Sequence, residues 1–141
     1  LFINGPNVNI TRFTEPGVEG EVDYNGLLDY LDVCCQQMGI EPDFFQSNHE
    51  GAIIDAIQEA DTAFDGIVIN PGAYAHYSYA IHDALRSVDV PAVEVHISDI
   101  TAREPFRAVS VTAPACVKTI CGHGLRGYLE AMDYLKETVR P

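Results

Sequence analysis

The strongest constraint on the fold is an uninterrupted apolar run, Ile67-Val68-Ile69, which ends in the polar residue Asn70. A strand that is apolar on both faces is typical of a parallel sheet covered by helices on both sides. Short apolar segments of this kind alternate with stretches of helical periodicity along the chain. Strands are predicted over residues 1–4, 40–46, 66–70, 92–96 and 115–121. Helices are predicted over residues 24–38, from about residue 50 onward, over 77–87 and over 125–139.

This order of elements predicts an α/β domain with a flavodoxin-like, five-stranded parallel sheet and about five helices on its two faces. The chain has 141 residues, the length of one domain, so we expect a single domain over residues 1–141. No apolar run reaches the roughly 18 residues of a membrane span, and no signal segment opens the chain. We therefore expect a cytoplasmic protein that does not bind a membrane.

The charge distribution argues against nucleic acid as a partner. The formal net charge is −13, and binding to a phosphate backbone requires a cationic surface. Residues 1–70 contain 13 acidic residues and one basic residue, Arg12, whereas residues 71–141 contain 8 acidic and 7 basic residues. The acidic half is typical of a solvated surface. In the second half, Arg103 and Arg107 are a candidate clamp for an anionic ligand.

Neither a metal nor a cofactor is expected. The four cysteines and five histidines show neither the spacing of a zinc site nor a disulfide framework. The chain also lacks a P-loop, the glycine fingerprint of dinucleotide binding and the nucleophile elbow of hydrolases. Any chemistry would therefore come from the chain's own side chains.

Polar residues follow four of the predicted strands. The segments are NGPN (residues 4–7), QSNH (46–49), NPG (70–72) and EVHIS (94–98). Ligands bind at the carboxyl ends of strands in open α/β sheets, so these segments predict a site for a small, hydroxyl-rich ligand. Glu94 and His96 share one face of their strand. The carboxylate can therefore fix the tautomer of the imidazole and support general acid or base catalysis.

Residues 5–23 separate the first strand from the first helix. They are predicted to form a long polar loop without secondary structure. A loop of this length in a compact domain is usually functional and often acts as a lid. A tolerated, flexible insertion is the alternative.

The polar segments resemble the motifs of the type II 3-dehydroquinate dehydratases (type II dehydroquinases). The matching segments are NGPNVN and EP (residues 4–9 and 15–16), QSNHEG (46–51), INPGAYAH (69–76), EVHIS, ARE and FR (94–98, 102–104 and 106–107), and GHG and GY (122–124 and 127–128). Their order and spacing cover nearly the whole chain. The resemblance implies a flavodoxin-like fold that assembles as a dodecamer of four trimers.

The resemblance also implies a reaction, the elimination of water from 3-dehydroquinate to give 3-dehydroshikimate in the shikimate or quinate pathway. The family uses no metal, cofactor or Schiff base. A lid tyrosine, activated by an arginine, removes the proton α to the ketone. The resulting enolate is held by a water that an asparagine orients, and a histidine then protonates the departing hydroxyl.

These implied roles fall on matching positions of this sequence. Asn7 would hold the water, and His96, supported by Glu94, would be the general acid. Arg103 would lie in the same wall and is a further candidate catalytic residue. Glu19, at the position of the family's catalytic tyrosine, is the last candidate of the catalytic set. The implied substrate-binding residues are Asn70, Gly72, Ala73, His76, Ile97, Ser98 and Arg107, together with Asp83 from a neighbouring subunit of the trimer.

The sequence departs from the family pattern at the lid. Thr14 occupies the position of the arginine, and Glu19 occupies that of the tyrosine. A tyrosine needs a nearby cation to act as a base at neutral pH, whereas a glutamate does not. We therefore interpret Glu19 as a replacement base. Two alternatives are Arg12 as the missing cation and Tyr24 as the missing phenol.

Three functions are compatible with this sequence. The first is a dehydroquinate dehydratase with an altered base. The second is a related lyase that acts on a different cyclic polyol or keto acid. The third is a non-catalytic paralogue that binds a dehydroquinate-like ligand or serves in assembly or regulation.

Overall fold

The fold is built around a five-stranded parallel sheet. The computed structural model describes residues 1–14 and 20–139. Its strands are β1 (Phe2–Asn4), β2 (Phe13–Thr14), β3 (Glu21–Val22), β4 (Phe44–Gln46), β5 (Ile67–Asn70), β6 (Ala92–His96) and β7 (Lys118–Cys121). Its α-helices are α1 (Tyr24–Met38), α2 (Glu50–Ala63), α3 (Tyr79–Ser87) and α4 (Arg126–Val139). The parallel sheet has the strand order β4-β1-β5-β6-β7, whereas β2 and β3 form a separate antiparallel pair.

Helices cover both faces of the sheet, as the apolar run in β5 predicts. Val68 belongs to an apolar cluster with Leu31 of α1 and Met132 of α4. Its neighbour Ile69 belongs to a second cluster with Ile57 of α2 and residues of α3. Successive residues of a strand point to opposite faces, so both clusters are needed to bury this one strand. The flavodoxin-like α/β architecture is confirmed.

The bounds of α1 agree with the predicted helix over residues 24–38, because both ends carry clear capping residues. The side chain of Asp23 accepts a hydrogen bond of 2.8 Å from the backbone N–H of Gly26, as is typical of an N-cap. Gly39 ends the helix with a φ of 71°, a left-handed conformation that glycine adopts without steric cost.

Other bounds differ from the predictions for local reasons. The strand predicted over residues 40–46 begins at Phe44, beyond Pro42, which has no backbone N–H to donate to a neighbouring strand. The four α-helices of the described residues are fewer than the five or so predicted. Part of the segment between β6 and β7 forms short 3₁₀ turns over Ile100–Ala102, Pro105–Arg107 and Ala113–Ala115. Two of these turns contain a proline, which interrupts regular helices.

The prediction that residues 5–23 lack secondary structure is wrong. Val8–Ile10 form a 3₁₀ turn, and β2 and β3 pair over two residues each. Phe13 is buried and Val22 packs against the same apolar cluster as α1, which anchors the base of this hairpin. Pairing over two residues is too short to produce a recognisable alternation in the sequence.

None of the helices in the described part of the chain is long and apolar enough to cross a bilayer.

Candidate active site

Polar side chains from four neighbouring strands meet at one edge of the sheet. Asn4, Gln46, Asn70 and His96 are the last residues of β1, β4, β5 and β6. Asn4 is in register with Gln46 on one side and with Asn70 on the other. The carboxyl ends of these parallel strands therefore bring together the polar segments that the sequence separates.

Glu94 and His96 form a buried pair on β6. Their side chains are 0% and 5% exposed, and His96 Nε2 lies 2.7 Å from Glu94 Oε2. Because a carboxylate accepts hydrogen bonds, Nε2 carries a proton. The other ring nitrogen, Nδ1, is then the one available to exchange a proton with a ligand. This is the arrangement expected of a histidine that acts as a general acid.

Two hydroxyl groups complete the surroundings of the Glu94 carboxylate. Ser110 Oγ donates a hydrogen bond of 2.6 Å to Oε2, and Thr112 Oγ1 donates a hydrogen bond to Oε1. The sequence analysis missed both residues. They lie two positions apart in an irregular segment, and hydroxyl residues are common in loops, so no pattern distinguishes them.

His76 lies beside His96. The two rings are stacked, with centroids 6.4 Å apart and an angle of 20° between their planes. His76 Nδ1 is 2.9 Å from the carbonyl oxygen of Val109, and a carbonyl only accepts, so Nδ1 holds a proton. Nε2 of His76 is left to meet a ligand hydroxyl. His82 makes a similar contact, since its Nδ1 is 2.7 Å from the carbonyl oxygen of Val111.

A buried tyrosine joins the ends of β1 and β5. Tyr128 Oη donates a hydrogen bond of 2.7 Å to Asn4 Oδ1 and accepts one of 3.2 Å from Asn70 Nδ2. Asn70 Oδ1 in turn accepts from the backbone N–H of Gly72 at 3.2 Å. Burial raises the pKa of Tyr128 well above its ordinary value, so its hydroxyl stays protonated. Tyr128 therefore orients Asn70, a role that its place among the apolar residues of α4 did not reveal.

Asn7 is held in an unusual backbone conformation. Its φ of 69° is left-handed, which asparagine tolerates better than most residues. Its backbone N–H donates to Asn48 Oδ1 at 3.0 Å, and Gln46 Nε2 lies 3.2 Å from both Asn48 Oδ1 and the carbonyl oxygen of Gly5. Asn7 is exposed and lies three residues beyond Asn4, the last residue of β1.

Arg103 and Arg107 both lie on the segment that follows β6, but their surroundings differ. Arg107 Nε is 2.6 Å from Glu104 Oε2, and its guanidinium stacks over the ring of Phe106 at 5.0 Å. The pKa of the Glu104 carboxyl is lowered, first by a hydrogen bond from its own backbone N–H and then by the hydrogen bond from the Arg107 guanidinium. Arg103 is exposed. An anionic ligand would therefore compete with Glu104 for Arg107.

The remaining predicted ligand-binding residues are spread over three elements. Gly72 and Ala73 belong with His76 to one 3₁₀ turn after β5. Ile97 is half-buried and Ser98 is exposed immediately after His96. Asp83 is exposed on α3, and the sequence resemblance assigns it to the site of a neighbouring subunit.

The two positions that depart from the family pattern are only partly described. Glu19 lies outside the described residues. Thr14 is exposed and pairs with Glu21 across the β2–β3 hairpin. Arg12 Nη1 lies 3.4 Å from Asp23 Oδ2, so the cation proposed to replace the lid arginine is engaged by a neighbouring carboxylate.

Tyr24, the alternative phenol, packs at the start of α1. Burial raises its pKa, against a smaller opposing effect of the Asn4 amide beside it. A phenol acts as a base through its phenolate, and a raised pKa makes the phenolate rarer at neutral pH. Tyr24 is therefore poorly suited to act as the base. In the described part of the chain, Asn4 Nδ2 is the buried side-chain nitrogen that lacks a hydrogen-bond partner, and the hydroxyl of Tyr24 is its neighbour.

No metal centre is found in the part of the chain that the structure describes. Its histidines, cysteines and carboxylates do not gather in any group of three that could hold an ion.

A cleft of about 640 Å³ opens elsewhere, next to Leu1, Gly39, Asp65 and Lys136. It lies at the opposite end of the strands from His96.

The chain matches a known protein family over nearly its whole length. The family model described as dehydroquinase class II matches residues 1–136. The chain belongs to the type II dehydroquinase family. The match spans β1 to α4, and therefore every element that contributes to the edge of the sheet described above.

Individual relatives are similar over nearly their full length. A 3-dehydroquinate dehydratase of Caldicellulosiruptor saccharolyticus is 53% identical over 138 residues, which cover 97% of this chain and 95% of the relative. One from Lachnoclostridium phytofermentans is 55% identical over 134 residues, with 94% and 92% covered. The crystal structure of a type II dehydroquinase from Butyrivibrio crossotus is 52% identical and superimposes with a TM-score of 0.88, over 96% of this chain and 94% of that one.

A more distant structure carries a different description. A 3-dehydroquinate dehydratase-like protein from Bifidobacterium longum is 25% identical, with a TM-score of 0.74 over 99% of this chain and 96% of that one. The type II dehydroquinase fold therefore extends to chains that are named as similar to the dehydratase rather than as the dehydratase itself.

Proposed function

We propose that this type II dehydroquinase is a lyase that dehydrates 3-dehydroquinate to 3-dehydroshikimate through an enolate, in the shikimate or quinate pathway. The observation that carries the proposal is the buried pair of Glu94 and His96 at the edge where four strands end. The family membership and the relatives named 3-dehydroquinate dehydratase support this substrate. We further propose that residues 1–141 form a single dehydroquinase-like domain.

His96 is the proposed general acid. The departing hydroxyl of the substrate must gain a proton to leave as water, and the imidazolium of His96 supplies it from Nδ1. Glu94, 2.7 Å from Nε2, stabilises the positive charge of the imidazolium and fixes the orientation of the ring. General acid catalysis of this kind typically contributes about 10²–10⁴ to the rate.

Asn7 is proposed to orient the water that stabilises the enolate oxygen. The left-handed backbone of Asn7 and the hydrogen bond from its N–H to Asn48 fix the position of the Cα atom from which the side chain extends. A positioned donor at a developing negative charge lowers the barrier because no reorganisation is needed during the reaction. No metal or cofactor is required for any of these steps.

The rest of the substrate is proposed to bind along the same edge. Asn70, oriented by Tyr128, and Nε2 of His76 offer hydrogen bonds to the ring hydroxyls. The backbone of Ile97 and the hydroxyl of Ser98, with the 3₁₀ turn that contains Gly72 and Ala73, complete this wall. Arg107 and Arg103 supply positive charge for the substrate carboxylate, and Glu104 keeps Arg107 in place before binding.

Glu19 is the proposed base, in place of the tyrosine of the family pattern. A glutamate is ionised at neutral pH without help from a cation, and carboxylates are known to remove protons α to carbonyl groups. The loss of the lid arginine at Thr14 is consistent with this, because an adjacent arginine would weaken a carboxylate as a base.

The alternative proposal is a catalytically altered or inactive paralogue that acts on or binds a different cyclic hydroxy or keto acid. The simultaneous change of both lid positions, Thr14 and Glu19, favours it. In this case the wall formed by Asn70, His76 and His96 would still bind a ligand, while proton removal from 3-dehydroquinate would be lost.

A cytoplasmic homo-oligomer, a dodecamer of four trimers, is the proposed assembly. Asp83, exposed on α3, would reach the site of a neighbouring subunit in the trimer. Light scattering on the purified protein tests this: a mass of twelve chains is expected, and a monomer would leave Asp83 without its proposed role.

The activity is tested by incubating the purified protein with 3-dehydroquinate and following the absorbance of the conjugated enone product. Turnover is expected, with a product mass lower than that of the substrate by one water. A protein without turnover whose melting temperature still rises with 3-dehydroquinate would favour the alternative paralogue.

A further inference from the structure

The carboxylate of Glu94 is enclosed by two hydroxyl groups and the ring of His96. Its side chain is fully buried, and its contacts are His96 Nε2, Ser110 Oγ and Thr112 Oγ1. Thr112 is itself fully buried. Among the ion pairs of the described residues, Glu94 has His96 as its partner and no lysine or arginine.

The other titratable groups nearby do not replace these hydroxyls. Cys116 lies near Glu94, immediately after the last 3₁₀ turn before β7. Burial, with a smaller effect of Glu94, raises the pKa of its thiol, so it remains neutral. His76 faces His96 from the turn after β5, and its Nδ1–H donates a hydrogen bond to the carbonyl oxygen of Val109. His82 of α3 is bound to the carbonyl oxygen of Val111.

A buried carboxylate remains charged only when donors compensate for the water it has lost. Hydrogen bonds to a charged group are about twice as strong as those between neutral groups. Among the described residues, the groups in hydrogen-bond contact with the Glu94 carboxylate are His96 and the two hydroxyl donors, so these hydroxyls favour its negative charge. That charge in turn favours the protonated form of His96.

We propose that Thr112 and Ser110 are positioning residues that act through Glu94 to keep His96 protonated for its role as the acid. The inference rests on the proposed function for its kinetic readout. The segment that follows Arg107 therefore helps to set the pH range over which the enzyme is active.

Thr112→Val is the informative variant because it removes the hydroxyl and preserves the shape of the side chain. Ser110 is less suitable, since its Oγ also accepts a hydrogen bond of 3.1 Å from the backbone N–H of Ala113. Thr112→Ser restores a hydroxyl and is the rescue control. Thr119→Val makes the same change at an exposed position of β7, in register with Glu94.

The kinetic expectation concerns the alkaline limb of the kcat profile. Only the imidazolium form of His96 can act as the acid. We therefore expect kcat to fall as rising pH converts this imidazolium to the neutral ring. Loss of one charge-assisted donor to Glu94 should move this limb to lower pH by about one unit, a tenfold effect. Thr112→Ser and Thr119→Val should retain the wild-type limb.

A second measurement does not depend on turnover. Exchange of the imidazole C2 hydrogen for deuterium, followed by mass spectrometry of peptides, reports the protonation of each histidine. In Thr112→Val, the imidazolium of His96 should become neutral at a lower pH than in the wild type. The exchange profile of His123, which pairs with Glu130 on the surface, should not change.

A uniform fall in kcat with an unmoved alkaline limb would show a purely structural role for Thr112 and would overturn the proposal. An unchanged exchange profile of His96 would overturn it as well. Because the exchange measurement needs no substrate, a protein that fails to dehydrate 3-dehydroquinate would refute the proposed function and leave this test intact.

Discussion

The hydroxyl of Tyr128 lies 2.7 Å from Asn4 Oδ1, and this buried contact joins residues that are 124 positions apart in the sequence. The same hydroxyl accepts a hydrogen bond from Asn70 Nδ2. One atom of α4 therefore holds the ends of two adjacent strands at the edge where the proposed substrate binds.

Replacement of Tyr128 by phenylalanine should destabilise the protein. The change leaves Asn4 Oδ1 and Asn70 Nδ2 buried without a partner, which typically costs about 1–3 kcal/mol. Urea denaturation at a fixed protein concentration measures the loss. Tyr134→Phe is the matched control, because Tyr134 is half-buried on the same helix and its ring, which Lys118 Nζ approaches to 4.9 Å, is preserved. Equal midpoints for the two variants would contradict the role given to Tyr128.

A methyl group at Gly5 should not fit between the loops that follow β1 and β5. A Cβ at this position would lie 2.4 Å from the carbonyl oxygen of Pro71, and backbone atoms cannot move aside cheaply. We expect Gly5→Ala to lower the free energy of unfolding by about 1–3 kcal/mol and to impair turnover by displacing Asn7. In Gly51→Ala, where no atom lies within 4 Å of the new Cβ, stability should be unchanged or rise by up to about 1 kcal/mol. Similar stability of the two variants would argue against close contact of the loops.

The sequence predicted the α/β architecture because β5 is apolar on both faces and because short apolar segments alternate with stretches of helical periodicity. It also predicted the meeting of Glu94 and His96, because residues i and i+2 of a strand share a face. It could not predict the partners of these groups. Ser110 and Thr112 reach the site through the fold, and nothing in their local pattern separates them from ordinary loop residues. Tyr128 belongs to the GY segment of the family resemblance, but that resemblance did not indicate its contact with Asn70. The β2–β3 hairpin was missed because its two-residue strands carry no measurable periodicity.

Replacement of Glu19 by glutamine should abolish turnover if Glu19 is the base. The amide cannot accept the proton, and the loss should be about 10²–10⁴ in kcat, while the melting temperature should still rise with 3-dehydroquinate because binding persists. Glu21→Gln removes the same charge from an exposed position of β3 and should keep kcat close to that of the wild type. An active Glu19→Gln variant would assign proton removal to another group.

Tyr24→Phe tests the alternative phenol. Because burial raises the pKa of Tyr24, its phenolate is even rarer at neutral pH than that of an exposed tyrosine, and we expect kcat to change by less than about twofold. Steady-state turnover at pH 7 and at pH 9 checks this. A loss of activity in Tyr24→Phe, together with wild-type activity that rises with the phenolate toward pH 9, would identify Tyr24 as the base instead.

The central claim is that His96, held by Glu94, is the acid of a 3-dehydroquinate dehydratase. The most direct test compares the formation of the conjugated enone from 3-dehydroquinate by the wild type and by His96→Ala. We predict turnover by the wild type, a kcat lower by about 10²–10⁴ in the variant, and a rise in melting temperature with 3-dehydroquinate for both proteins. Equal turnover in the two proteins would contradict the claim.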